Sequence, residues 1–61
     1  MSDLRAGLLA RMIALYGENH KLVSQFREAC LAYTEETTRG YWDNCLEMIV
    51  EAHEKDPYRG F

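Results

Sequence analysis

Apolar and polar positions along the chain recur with a helical period in three blocks, separated by two polar breaks. In the first block Leu4, Leu8, Met12 and Leu15 follow one stripe, and Leu9, Ile13 and Tyr16 follow the next. Together they make an apolar face broader than a coiled-coil seam. Ser2 stands where a helix N-cap belongs, and Asp3 suits the positive end of the helix dipole. Gly7 inside the block costs about 1 kcal/mol relative to alanine. Gly17 is placed to end the helix at about Tyr16.

Glu18-Asn19-His20 is a short connection, which predicts that the next helix folds back antiparallel on the first. Asn19 is its expected N-cap, and His20 reads as a solvent-facing turn residue. Leu22, Phe26, Ala29, Cys30 and Tyr33 form the apolar stripe of this second helix, with Val23 beside it and Leu31 off it.

Residues 34–40, Thr-Glu-Glu-Thr-Thr-Arg-Gly, have low helix propensity. Glu35 and Glu36 would oppose the dipole at a helix C-terminus but suit an N-terminus. A break is expected here, with a third helix starting between Thr38 and Tyr41. A single bent helix over about residues 20–55 is the competing reading, because near-helical spacing continues through Thr37 and Tyr41. The third block carries the strongest pattern, and the rest of the chain reads as what it packs against. Trp42, Cys45, Leu46, Ile49, Val50 and His53 fall on one face, and Asp43, Glu47 and Glu51 fall four apart on the other. This predicts that Trp42 and Ile49 are buried and that the acids face solvent. Pro57 disfavours helix at Asp56 and sets the end near Lys55.

The predicted fold class is therefore all-α. One small three-helix domain over residues 1–56 has an antiparallel helix hairpin with a third helix packed on it. A tail follows at residues 57–61. Tyr58 and Phe61 in that tail are expected to order only by packing on the first helix or on a second subunit.

Length changes the energetics of this picture. In a chain of 61 residues a single core rarely supplies more than about 3–5 kcal/mol, so a metal, a disulfide or a second subunit is expected to help. Two cysteines fall short of a secreted disulfide framework. No apolar run suits a signal peptide or a membrane span, so a reduced, cytoplasmic protein with Cys30 and Cys45 as thiols is expected. Self-association is then the leading stabiliser, with a homodimer as the expected form. The net charge of −3 and the scatter of Arg5, Arg11, Lys21, Arg27, Arg39, Lys55 and Arg59 along the sequence argue against nucleic acid and against a polybasic membrane contact.

Candidate chemistry is sparse. Zinc sites use short-spaced ligand pairs, whereas Cys30 and Cys45 are 15 apart and His20 and His53 stand alone, so no metal or cofactor is expected. His53 suits a helix C-terminus through the dipole and belongs to no HExxH motif. Glu35 and Glu36 point about 100° apart on a helix and would not converge on one bond. No nucleophile or phosphate-loop motif is present, so no enzyme is expected.

The aromatic content is more suggestive. Seven aromatic residues (Tyr16, Phe26, Tyr33, Tyr41, Trp42, Tyr58 and Phe61) exceed what so small a core encloses. The functional expectation is a protein–protein interaction module, an adaptor or regulator that binds itself or another protein. Tyr41, Trp42, Tyr58 and Phe61 are its contact residues, and the acidic row Asp43, Glu47, Glu51 stands beside them. The alternative is a regulator that binds a small molecule or metal through aromatic, cysteine and histidine residues between the helices.

Overall fold

A computed structural model describes residues 3–56. It has three helices: α1 (Leu4–Tyr16), α2 (Lys21–Ala32) and α3 (Arg39–Lys55). The expected three-helix, all-α architecture is the observed one. α1 packs against both α2 and α3, whereas α2 and α3 barely meet. The central element is thus α1, not α3, around which the sequence pattern is organised.

The first helix is capped by Asp3, one residue after the expected Ser2. The Asp3 carboxylate accepts a hydrogen bond from the Arg5 backbone N–H at 3.1 Å. Gly17 ends the helix with φ 101°, a left-handed conformation that glycine adopts without strain, and its N–H donates to the Ile13 carbonyl at 2.7 Å. The N-cap of α2 is His20 rather than Asn19. Its Nδ1 accepts from the Leu22 N–H at 3.0 Å, so the ring closes the helix end instead of facing water as a turn residue.

The break between α2 and α3 is real and spans residues 33–38, which excludes the single bent helix. Thr38 donates its N–H to the Glu35 carbonyl, and the Thr37 hydroxyl donates to the Glu35 carboxylate at 2.9 Å. Local turn bonds of this kind compete with helix for exactly these residue types.

The core consists of Leu8 and Met12 from α1, Val23 and Phe26 from α2, and Leu46 and Val50 from α3. Leu9, Ile13, Leu15, Tyr16, Leu22, Ala29 and Cys30 pack half-buried around it. Two faces are rotated from the expected ones. In α1 the inner position before Leu8 is taken by Arg5, 5% exposed, while Leu4 is 44% exposed. In α3 the buried line runs through Leu46 and Val50, with Asp43 and Glu47 half-buried beside it. Trp42 is half-buried and Ile49 is 44% exposed, so the expected burial of Ile49 does not hold. One residue of rotation is about 100°, enough to exchange an apolar flank for an acidic one. Arg5 explains why α3 turns its Asp43 side inward.

Candidate functional site

Arg5 is the most unusual side chain in the fold. Its Nε donates to the Asp43 carboxylate at 2.5 Å, and its Nη1 donates to the Cys30 carbonyl at 2.6 Å. Cys30 lies in the last turn of α2, where carbonyls have no partner within the helix. That turn has no basic residue of its own, so Arg5 supplies the cation that the negative end of α2 favours. One guanidinium from α1 thereby ties the end of α2 to the start of α3. Its Nη2 is buried without a partner among the described residues. Burial pushes the Cys30 thiol above its usual pKa, with Arg5 acting in the opposite direction. Cys30 and Cys45 are both half-buried free thiols.

Aromatic rings gather at the same end. Tyr33, just past α2, stacks on Trp42 with centroids 4.1 Å apart and planes at 13°, and Tyr41 meets Trp42 edge-on at 5.2 Å. Stacked and edge-on pairs are the favoured arrangements and hold the interhelix loop against α3. Tyr41 remains 66% exposed.

At the opposite end the Tyr16 hydroxyl and His53 Nδ1 share a hydrogen bond of 2.7 Å, and the Tyr16 ring lies 5.0 Å from His20. His53 is therefore a packing residue between α3 and α1 and not only a dipole partner. On the outer surface Arg11 grips Glu54 with two hydrogen bonds, Nε to Oε2 at 3.0 Å and Nη2 to Oε1 at 2.5 Å. The Arg11 bond holds Glu54 below the ordinary glutamate pKa, and the Glu54 bond raises that of Arg11.

Because α2 and α3 lean on α1 separately, an apolar groove of about 190 Å³ opens between them. Met12 floors it, Leu22, Phe26 and Ala29 form one wall, and Leu46 and Ile49 form the other. A shallower depression continues past Ile49 to Ala52, His53 and Asp56.

Among the described residues, the expected contact residues do not form one surface. Tyr41 and Trp42 belong to the aromatic cluster. Asp43 leaves the solvent-facing row to pair with Arg5, Glu47 is half-buried, and Glu51 is exposed. Tyr58 and Phe61 lie outside the described residues. Among the described residues no group of three or more His, Cys, Asp or Glu side chains is placed to hold a metal ion, and no helix is long and apolar enough to cross a membrane. The sequence pattern did not disclose Arg5, but one signal was present. Arg5, Leu8 and Met12 are spaced i, i+3, i+7, which puts the arginine on the core face. No family model, curated protein or solved structure matches the chain.

Proposed function

We propose that this chain is a cytoplasmic protein-interaction module that works as a homodimer, with the α2–α3 groove as its contact surface. The observation that carries the reading is the groove itself: two helices packed on a third but not on each other, with an apolar floor and walls left open. Grooves of this form accept the apolar face of a helix. A second copy of the chain is the occupant for two reasons. Among the described residues the buried core has six apolar side chains, and chains of this size commonly complete their core by association. Ile49, 44% exposed, stands on the rim and is shared by the groove and the depression beside it. In a two-fold contact the same residue serves both as wall and as inserted side chain.

Sedimentation equilibrium at micromolar concentration tests this. The wild-type chain should show a concentration-dependent dimer. Ile49→Glu should be monomeric with its helical circular dichroism retained, since Ile49 is not a core residue. A wild-type chain that stays monomeric throughout, with undiminished thermal stability, would overturn the reading.

A further inference from the structure

α3 carries a second apolar stripe, on a side of the helix that the core does not use. Tyr41, Cys45, Met48 and Ala52 are spaced i, i+4, i+7 and i+11, which sets them along one line of the helix with Ile49 at its edge. Tyr41 is 66% exposed, Met48 67% and Ile49 44%; Ala52 is exposed and Cys45 half-buried. Among the described residues α1 exposes one large apolar side chain, Leu4, and α2 exposes one, Leu31, whereas α3 exposes them on successive turns. The inward line of α3, Leu46 and Val50, is already taken up by the core. Ile49 joins the stripe to the α2–α3 groove, because it stands in the groove wall. Tyr41 and Met48 line neither the groove nor the depression beside it.

We infer that the helix entering the groove is α3 of the second copy, with this stripe inward, and that the two α3 helices pair antiparallel about a two-fold axis close to Met48. The inference rests on the homodimer reading above and names its contact. A spacing of i, i+4, i+7, i+11 is the seam of a two-stranded helical pairing. A groove wall and a seam on the same helix, joined at Ile49, make the surface self-complementary, as a two-fold contact requires. Charge sets the orientation. Residues 47–56 hold Glu47, Glu51 and Asp56, besides a Glu54 gripped by Arg11, against Lys55. Residues 39–46 hold Arg39 and an Asp43 already paired with Arg5. A parallel pair would set the two acidic halves side by side. An antiparallel pair sets each acidic half beside the other copy's Arg39 and the positive end of its helix dipole. With the axis at Met48, midway between Tyr41 and Lys55, the Lys55 ammonium comes level with the Tyr41 ring of the second copy, a favourable cation–π pairing.

Disulfide formation between copies reports this geometry. In full chains carrying Cys30→Ser and Cys45→Ser, Met48→Cys should give an intermolecular disulfide on mild oxidation, because the axis brings the two copies of position 48 together. Tyr41→Cys in the same background should not. Its two copies lie about 21 Å apart along the helix axes, beyond the roughly 7 Å between Cα atoms that a disulfide spans. Met48→Glu in the otherwise native chain should weaken the dimer at least tenfold by sedimentation equilibrium with its helical circular dichroism retained, since Met48 is exposed and outside the core. Crosslinking through Tyr41→Cys as readily as through Met48→Cys would overturn the inference. So would the absence of a Met48→Cys crosslink in a chain that sedimentation shows to be dimeric. A dimer lost in Ile49→Glu but unchanged in Met48→Glu would overturn it and leave the groove reading intact; a wild-type chain that stays monomeric would overturn both.

Discussion

Asp43→Ala is the substitution that most directly probes how this fold is held together. It removes the carboxylate facing Arg5 and leaves the guanidinium, which cannot deprotonate, in a site where the Arg5 side chain is 5% exposed. Breaking a buried ion pair from one side costs about 3–5 kcal/mol. Asp43 is 23% exposed, so water partly replaces it, and the lower figure of about 3 kcal/mol applies. That loss is comparable to everything a core of this size supplies, about 3–5 kcal/mol. The variant should therefore keep no more than about 2 kcal/mol of stability and unfold at a much lower urea concentration than wild type, as read by far-ultraviolet circular dichroism. Replacing both partners separates the pair from the desolvation it causes. Arg5→Met with Asp43→Ala removes the stranded charge and gives Leu8 and Met12 an apolar neighbour, so the double variant should be more stable than Asp43→Ala alone. Urea unfolding of wild type, Asp43→Ala, Arg5→Met and the double variant, at an m-value of about 1 kcal/mol/M, measures the coupling. A loss below about 0.5 kcal/mol in Asp43→Ala, or a double variant no better than the single one, would refute the central role given to Arg5.

Leu46→Ala should cost about 2–5 kcal/mol in thermal or urea unfolding, since Leu46 is 2% exposed. Ile49→Ala, on the same helix but at the groove rim, should cost less than about 1 kcal/mol in the monomer; equal losses at the two sites would mean that the buried face of α3 is misassigned. The Arg11–Glu54 pair predicts a pH signature. Glu54 is held below its ordinary pKa by Arg11, so the pair's contribution is present above the unfolded glutamate value and is lost as pH falls through the lower folded value. The thermal midpoint of Arg11→Gln should therefore lie slightly below wild type at neutral pH, and the gap should close below about pH 4 and in high salt. A gap that persists at low pH would show that Arg11 acts through packing.

Helix number and the two breaks were legible because they depend on short-range chemistry. Gly17 takes the left-handed conformation its position called for, and the threonines and glutamates of residues 34–38 form local turn bonds. The side of each helix that turns inward was less legible, because it is decided between helices. Leu4 and Leu8 define a reasonable stripe by themselves, but Arg5 satisfies two partners at once by taking the inner position, and Leu4 is left outside. Asp43 follows Arg5 inward, and that rotation carries Ile49 outward. A pattern count that scores arginine as a surface residue cannot find this arrangement. The caps failed by one residue for a milder reason. Asn19 and His20 both have side-chain acceptors, and the choice fell to the ring that also lies 5.0 Å from Tyr16.

The same arginine accounts for the shape of the groove. α2 and α3 are joined at one end by residues 33–38, by the Tyr33–Trp42 stack and by the single guanidinium that binds Cys30 and Asp43. At the other end the side-chain bond between Tyr16 and His53 joins α3 to α1, and the Tyr16 ring also lies 5.0 Å from His20 at the start of α2. The ties between α2 and α3 are thus gathered near Arg5, whereas the groove residues Leu22 and His53 lie towards the other ends of those helices. Ile49 belongs to the groove and to the depression beside it, and Arg5 lines neither. A substitution at Ile49 should therefore act on stability independently of one at Arg5 or Asp43, since the two sites share no partner.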